Sequence, residues 1–355
     1  MKTTFGLYGS GWRAEFFLRV AKALHERFTV AGVVTTNREK AERYTREFGV
    51  SCFDTADKLL SSGKMDFVVV CVSASAGMDV SLRLLREGMP VLLETPAAVS
   101  LEALCRFHEE LPTGAKIQVA EQYPFQPMHM ARLAFLKQGK LGSPSHVQIS
   151  FTHAYHAVAL IRKYLNIGFE NAKITATAFP VPVIAGYTRE GEPEVERIAE
   201  KIQTIAVLDF DGKTALLNHE TDQHRSWVRS PIVQVKCERG EVFNEKIKYL
   251  EDFRTPIESV FTRKDLGREE NFEGFDLKGV FADGKWLYRN PYQGSRLVDD
   301  EIAIAACLDS MDEYVRGGSS FYSLREASQD VYLAKMVEEA VALGRVLRTE
   351  TQGWV

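Results

Sequence analysis

The sequence contains few cysteines for its length. Five are spread over 355 residues and lie far apart in the chain: Cys52, Cys71, Cys105, Cys237 and Cys307. Their odd number and wide spacing argue against a disulfide framework and against a CxxC metal clamp. We therefore expect reduced thiols and a cytoplasmic protein.

An excess of positive charge and a long apolar run are also absent. The chain has 44 lysines and arginines against 48 acidic residues, and its formal net charge is -4, whereas nucleic-acid-binding domains are usually basic. No segment approaches the roughly 18 consecutive apolar residues of a membrane span, and the first segment, "TTFGLYG", lacks the features of a secretory signal. We expect a small-molecule partner and neither nucleic acid nor a membrane.

What is present is the composition of a globular chain, with 45% hydrophobic residues and enough length for about two domains. A glycine-rich turn marks the first domain. It follows the apolar strand "TTFGLY", leads into the amphipathic helix "WRAEFFLRVAKALHERF" and precedes the β-branched strand "FTVAGVV". This β-α-β context favours a dinucleotide-binding turn over a structural bend without a nucleotide.

Each position of that turn has an expected role. Gly9 permits the tight turn, Gly11 lets the backbone approach a pyrophosphate, and Ala14 is small enough for the helix to pack on the strand. Amides at the helix start would bind the phosphates. The predicted nucleotide-binding residues of the turn are Gly9, Ser10, Gly11, Trp12, Arg13 and Ala14.

Strands and helices continue to alternate to about residue 120, which predicts a doubly wound parallel sheet. The strand "MDFVVVCVS" ends at Cys71, Val72 and Ser73, which we add to the nucleotide-binding residues. The second strand ends without the carboxylate that usually binds the ribose hydroxyls of NAD. It is followed by Thr35, Thr36, Asn37 and Arg38. These residues favour NADP slightly over NAD, although Arg38 is equally compatible with a solvated surface position.

Two later segments, "VLLETPAAVSLEAL" and "IQVAEQYPFQPMHMARLAFLKQGKLG", resemble the Gfo/Idh/MocA family of glucose-fructose oxidoreductase and inositol dehydrogenase. In that family one strand ends in Glu-Lys-Pro, and the next segment reads roughly Glu-Asn-Tyr-Arg-Phe-x-Pro. The resemblance implies an α/β protein with a Rossmann domain, residues 1–121, and an α+β domain with a large, mostly antiparallel open sheet, residues 122–355. It also implies an NAD(P)-dependent oxidoreductase that forms a homo-oligomer, either a dimer or a tetramer.

The same resemblance assigns roles to individual residues. Gln122 matches the family asparagine near the nicotinamide, and Tyr123 matches its tyrosine. Glu94 and Pro96 match the ends of the Glu-Lys-Pro motif, but Thr95 replaces its active-site lysine. A threonine hydroxyl cannot act as a base near neutral pH. We therefore expect Glu94, Thr95 and Gln122 at the cofactor and another group to move the proton.

The segment "THAYHAVALIRKYLNIG" supplies that group. It resembles the family signature Asp-x-Gly-x-His-x-x-Asp, with His156 on the histidine and Thr152 and Ala159 in place of the aspartates. An imidazole titrates near neutrality and is suited to acid/base catalysis. The predicted catalytic residues are His156, Thr95, Tyr123 and Tyr155, with His153 as a further candidate. His153 and His156 are spaced like metal ligands, but the lost aspartate argues against a metal.

Beyond residue 170 the sequence reads as strands separated by polar turns, followed by two amphipathic helices. The segment "YTREGEPEVERIAEK" is predicted to be a solvated loop, and "VDDEIAIAACLDSMDEYV" a helix whose acidic start favours its amino terminus. In "NHETDQHRSWVRSP", four side chains are compatible with either a sugar site or a solvated sheet face: His219, His224, Arg225 and Trp227.

Three functions remain open from the sequence. The first is hydride transfer to or from a sugar, cyclitol or sugar derivative, with His156 as acid/base. The second is a redox-assisted glycosidase or lyase that holds its nicotinamide cofactor tightly. The third is a non-catalytic sensor that binds a nucleotide or sugar, because the family lysine and aspartates are missing.

Overall fold

The computed structural model describes residues 2–189, 191–267, 274 and 276–355. The first sheet has six strands: β1 (Thr3–Tyr8), β2 (Phe28–Val34), β3 (Cys52–Phe53), β4 (Phe67–Val70), β5 (Val91–Leu93) and β6 (Ile117–Val119). Their order is β3-β2-β1-β4-β5-β6, and every neighbouring pair is parallel. The central strand β4, "FVVV", is fully buried because helices cover both faces of such a sheet. The predicted doubly wound sheet is confirmed.

Five helices connect these strands: α1 (Trp12–Ala23), α2 (Arg38–Phe48), α3 (Ala56–Ser61), α4 (Ala74–Arg86) and α5 (Leu101–Glu109). The ends of α2 follow from its sequence. Asn37 caps the amino terminus by accepting a hydrogen bond from the Lys40 amide, and Gly49 ends the helix in the left-handed conformation. Helix α1 differs, because Gly11 at its amino terminus has no side chain with which to cap it.

After β6 the chain forms a 3-10 turn (Tyr123–Phe125), α6 (Pro127–Leu136), β7 (Pro144–Ser150) and α7 (Ala154–Leu165). The strands that follow are β8 (Lys173–Ile184), β9 (Ile198–Asp209), β10 (Thr214–Glu220), β11 (Ile232–Cys237), β12 (Gly240–Phe243), β13 (Lys246–Leu250), β14 (Pro256–Val260), β15 (Thr262–Leu266), β16 (Asp276–Ala282) and β17 (Lys285–Arg289). The chain ends with α8 (Asp299–Val315), α9 (Leu324–Leu343) and β18 (Leu347–Arg348).

The described residues of this second part form a nine-stranded sheet in the order β14-β13-β12-β11-β7-β10-β9-β8-β18. Only β7 and β10 are parallel neighbours within it. This agrees with the expected large, mostly antiparallel sheet, and β15, β16 and β17 form a smaller sheet beside it. The prediction of a loop over residues 187–201 is wrong for residues 198–201, because β9 begins at Ile198 and pairs with β8.

The last two helices return to the first sheet. Arg19 of α1 donates to Glu301 of α8 at 2.7 Å, and the Val119 amide of β6 donates to the Tyr322 carbonyl at 2.8 Å, just before α9. Residues beyond position 121 therefore pack on both sheets, and the boundary at 121/122 stays a prediction. Among the described helices, none has the length and apolar character needed to cross a membrane.

Candidate functional site

A cavity of about 900 Å³ lies where the carboxyl ends of the parallel strands face the start of α7. Such a position is typical of ligand sites in doubly wound folds. Most of the predicted site residues line it: Gly9, Ser10, Gly11, Trp12, Arg13, Thr35, Thr36, Asn37, Cys71, Val72, Ser73, Glu94, Thr95, Gln122, Tyr123, Tyr155 and His156. Two do not. Ala14 is buried beneath the turn, and Arg38 is exposed outside the lining.

Gly9 and Gly11 are suited to the turn for different structural reasons. Gly9 has a φ of +123°, and a Cβ there would lie 2.5 Å from the Cys71 carbonyl oxygen, so no other residue fits without displacing the backbone. Gly11 has ordinary backbone angles, and the nearest atom to an added Cβ is the Cys71 oxygen at 3.9 Å. A side chain at position 11 would occupy open space in the cavity. That space, beside the uncapped start of α1, suits a phosphate group.

Two further features fit a dinucleotide. The side-chain oxygen of Gln122 is buried and has no hydrogen-bond partner among the described residues, although Gln122 lines the cavity. Such an acceptor is costly unless a ligand satisfies it. Ser10 is also held firmly, because its hydroxyl accepts from Thr35 at 2.7 Å and its carbonyl accepts from Lys40 Nζ at 2.6 Å. The residues present therefore fit a nicotinamide dinucleotide.

Arg13 forms an ion-pair network at the floor of the cavity. Its Nε donates to Glu94 Oε1 at 2.7 Å, and its Nη1 donates to Asp300 Oδ2 at 2.8 Å. Burial disfavours the charged guanidinium, but the two carboxylates raise the pKa of Arg13 above its usual value. The sequence around Asp300 indicates only the acidic start of a helix. No sequence signal could connect it with Arg13, which lies 287 positions away.

The most informative contact is between α7 and the end of β6. His156 Nδ1 lies 2.7 Å from Glu121 Oε2 and 2.9 Å from Glu121 Oε1, and both side chains are buried. The Tyr123 amide donates to the same carboxyl group at 3.2 Å. Sequence reasoning missed Glu121, although it directly precedes Gln122 within the family-like segment "AEQYPF". A carboxyl group bound to Nδ1 fixes the orientation of the imidazole and leaves Nε2 for the cavity.

The electrostatics of this pair follow from its burial. Burial raises the pKa of Glu121 well above its usual value, and the neighbouring carboxylate of Glu94 adds to the rise. Burial lowers the pKa of His156 to about 3, and the Arg13 guanidinium contributes to the same direction. Both shifts favour an uncharged pair, in which one proton lies between Nδ1 and the carboxyl group.

Aromatic and hydroxyl groups surround the His156 ring. The ring centroids of Tyr155 and Tyr123 lie 4.3 and 4.5 Å from that of His156. Burial raises the pKa of Tyr123 to about 12 and raises that of Tyr155 further, so both phenols keep their protons near neutral pH. The Thr95 amide donates to Glu94 Oε2 at 2.9 Å. Its hydroxyl donates to the same oxygen over a longer distance, 3.4 Å. The predicted catalytic residues thus lie together in the cavity.

Two further histidines, His153 and His224, lie near His156 in the cavity. The His153 ring is 5.2 Å from the His156 ring and 6.1 Å from the His224 ring, and Arg225 and Arg189 also line the cavity. His153 is exposed to the cavity, yet the surrounding protein lowers its pKa to about 4 by desolvation, assisted by His156. Within the part of the chain that is described, no group of three or more histidine, cysteine or acidic side chains is arranged to hold a metal ion.

The first part of the chain matches a known family model. A family model described as an oxidoreductase family with an NAD-binding Rossmann fold, GFO_IDH_MocA, matches residues 3–120. The chain is similar to the inositol 2-dehydrogenase of Pseudomonas savastanoi pv. phaseolicola, with 26% identity over 149 residues. That match covers 41% of this chain and 44% of the relative, less than half the length of either.

Solved structures extend the likeness to the whole fold. A myo-inositol dehydrogenase from Corynebacterium glutamicum aligns over 99% of this chain and 100% of its own, with a TM-score of 0.68 and 15% identity. Levoglucosan dehydrogenase in complex with NADH and levoglucosan aligns over 98% of this chain and 99% of its own, with a TM-score of 0.69 and 13% identity. At these identities the likeness shows the fold. The family model supports the same conclusion for the first part of the chain, because it describes an NAD-binding Rossmann fold over residues 3–120.

Proposed function

We infer that this protein is an NAD(P)-dependent dehydrogenase or reductase that acts on a sugar, cyclitol or sugar derivative. The observation that carries the inference is that His156, bound to Glu121 at 2.7 Å, lines the same cavity as the glycine turn. An oriented imidazole beside a nucleotide cradle is the arrangement needed for coupled proton and hydride transfer. The relatives named as inositol and levoglucosan dehydrogenases support a polyhydroxylated substrate.

One group of cavity residues binds the nucleotide, and another transfers the proton. A bound nicotinamide nucleotide supplies the hydride acceptor or donor. The amides at the start of α1 bind its phosphates, and Gln122 offers a buried acceptor in the same cavity. The absence of a carboxylate at the end of β2 supports the modest preference for NADP, with Thr35, Thr36, Asn37 and Arg38 as the residues that distinguish the two cofactors.

His156 moves the proton of the reacting hydroxyl. During oxidation its Nε2 accepts that proton while Nδ1–H donates to the Glu121 carboxylate, which stabilises the resulting imidazolium. During reduction Nε2 returns the proton to the carbonyl oxygen. Tyr123 and Tyr155 orient the oxygen by hydrogen bonding, because both phenols keep their protons. The Thr95 hydroxyl, which donates to Glu94 Oε2 at 3.4 Å, turns to the substrate oxygen as a third donor. A cytoplasmic homo-oligomer remains part of the proposal.

The test combines nucleotide titration with turnover. NADPH and NADH should bind saturably, and a panel of sugars, sugar acids and cyclitols should include a compound that is oxidised with NADP⁺ or NAD⁺. His156→Ala should reduce kcat by about 10² to 10⁴, the usual scale for losing a general acid/base, and should leave nucleotide affinity nearly unchanged.

A matched control is available in His25, which is exposed on the protein surface beside Glu26. His25→Ala should leave both kcat and nucleotide affinity unchanged. Failure of both nucleotides to bind would contradict the proposed function as a whole. Nucleotide binding with full activity in His156→Ala would retain the dehydrogenase and reject the assignment of the base.

A further inference from the structure

Among the described residues, three arginines line the cavity, and their charges are balanced to different extents. Arg13 is bound by the carboxylates of Glu94 and Asp300. The other two, Arg189 and Arg225, come from the second part of the chain and lie on the side of the cavity that includes His153 and His224. Their charges are not used by the proton-transfer groups, so they require a separate explanation.

Arg225 ends a 3-10 turn, Gln223–Arg225, that follows β10. Its nearest carboxylate is Asp222, at 3.8 Å from Nη1, but that carboxylate accepts a hydrogen bond from Lys201 at 2.7 Å. Asp222 is therefore shared between two cations, and its single charge cannot balance both of them. A separation of 3.8 Å is longer than a hydrogen bond, so the guanidinium of Arg225 retains donors for a ligand.

Arg189 reaches the nucleotide-binding domain. Its guanidinium lies 4.5 Å from the ring centroid of Trp12, which follows the glycine turn. This contact is a cation–π interaction and does not neutralise the charge. Among the residues described here, no carboxylate pairs with Arg189. Arg189 is an exposed residue that lines the cavity next to the start of α1.

The acidic residues of the lining cannot balance these two charges. Glu94 and Asp300 are held by Arg13, and the third, Asp54, follows β3 and pairs with Lys58 at 2.8 Å. A neutral substrate that displaced water from Arg189 and Arg225 would desolvate two cations for which the described residues offer only the Asp222 carboxylate, already shared with Lys201, and this is unfavourable. An anionic group would offset that cost, and the planar guanidinium matches carboxylate and phosphate oxygens.

We propose that the substrate of the reaction inferred above carries an anionic group, a carboxylate or a phosphate ester, that binds Arg225 and Arg189. The reacting hydroxyl would then lie at His156. Ring separations of 5.2 Å from His156 to His153 and 6.1 Å from His153 to His224 connect the two ends, and Arg225 directly follows His224. One monosaccharide derivative can bridge them. This proposal rests on the proposed dehydrogenase function and specifies its substrate class.

The experiment compares acidic compounds with their neutral counterparts on nucleotide-saturated protein, by calorimetry and by turnover. The probes are gluconate, glucuronate, galacturonate and glucose 6-phosphate against glucose, galactose and myo-inositol. At least one acid or phosphate should bind about 10- to 100-fold more tightly than its neutral counterpart, the scale of a charge-assisted hydrogen bond. Comparing the affinities of the sugar acids with that of glucose 6-phosphate shows whether a carboxylate or a phosphate is preferred.

Arg225→Met should remove this preference while retaining the length of the side chain, and Arg225→Lys should retain part of it because the charge remains without the planar fork. Arg254→Met is the control. It makes the same change of charge between β13 and β14, several strands away from β10 in the sheet order. Its acid preference should equal that of the unchanged protein.

Several results would overturn the proposal while leaving the dehydrogenase in place. These are equal binding of acids and neutral compounds, acid binding that Arg225→Met does not alter, or an Arg225→Met effect confined to NADPH or NADH affinity. The last result would place the arginine at the nucleotide. Failure of both nucleotides to bind is a different result and contradicts the proposed function instead.

Discussion

His156 Nδ1 lies 2.7 Å from Glu121 Oε2, and neither side chain is exposed to bulk solvent. The contact joins α7 of the second part of the chain to the end of β6 in the first sheet. It determines which nitrogen of the imidazole is available to a substrate, because Nδ1 is occupied by the carboxyl group. It also makes the two residues titrate as one unit, since a proton taken up by one affects the other.

The pH dependence of catalysis should report this pair. Because burial raises the pKa of Glu121 and lowers that of His156, the uncharged pair holds two protons: one on Nε2 and one between Nδ1 and the carboxyl group. One must be lost before Nε2 can accept a proton. We expect kcat/KM for oxidation to rise with pH and that for reduction to fall, through one apparent pKa above the ordinary range of a carboxyl group.

Glu121→Gln tests that explanation, because glutamine has a similar shape and no ionisable proton. Its kcat should fall by about 10- to 1,000-fold, reflecting loss of the stabilising carboxylate, and the rise of oxidation with pH should disappear. Stopped-flow or steady-state rates between pH 5 and 9 provide the measurement, with Glu26→Gln on the surface as control. A Glu121→Gln profile identical to that of the unchanged protein would show that the carboxyl group is only structural.

Restoring the family lysine should not restore a family-type enzyme. Thr95 donates through its amide to Glu94, whose other oxygen is bound by Arg13. In Thr95→Lys, a new ammonium would compete with Arg13 for Glu94 and would lower the proton affinity of the nearby His156. We expect unchanged or lower kcat, and a smaller loss in Thr95→Ala than in His156→Ala. A strong increase of kcat in Thr95→Lys, together with an almost unchanged kcat in His156→Ala, would identify a lysine-type dehydrogenase that has lost its lysine.

Substitutions at Gly9 and Gly11 should have different effects on nucleotide binding and stability. Gly11→Asp places a carboxylate in open space where a phosphate is expected, so nucleotide binding should be abolished while the melting temperature changes little. Gly9→Ala forces a Cβ to within 2.5 Å of the Cys71 carbonyl at a φ of +123°, so it should lower thermal stability as well. Nicotinamide fluorescence and thermal melts measure both. Normal nucleotide affinity in Gly11→Asp would remove the turn from the binding site.

Cofactor preference is expected to depend on Arg38. Arg38→Ala should weaken NADPH more than NADH, because a hydrogen bond to a charged group is worth about 1.5–3 kcal/mol and less when solvent competes. The exposure of Arg38 and its position outside the cavity lining favour the lower end of that range. Dissociation constants for both nucleotides give the answer. Equal weakening, or none, would show that Arg38 does not contribute to the choice of cofactor.

The elements of the first domain follow from local sequence signals. Alternating buried strands and amphipathic helices, Asn37 and Gly49 at the ends of α2, and the Gly9–Ala14 turn are signals that act over a few residues, so they can be read from a single chain. The same is true of α8, and of α9 with its Ser323 cap and Gly344 stop. The family-like segments added the positions of Gln122, Tyr123 and His156.

Which distant groups meet in the cavity depends on how the helices and strands pack together. Glu121 and His156 are 35 positions apart, and Arg13 and Asp300 are 287 positions apart. Arg189 reaches Trp12 from the other sheet. Hydrophobic periodicity specifies the buried face of each element, but it carries no information about which polar ends are brought together when the elements pack. The Glu121–His156 pair and the approach of Arg189 to Trp12 are therefore properties of the folded chain, created where segments of the second part of the chain pack against the carboxyl ends of the parallel strands.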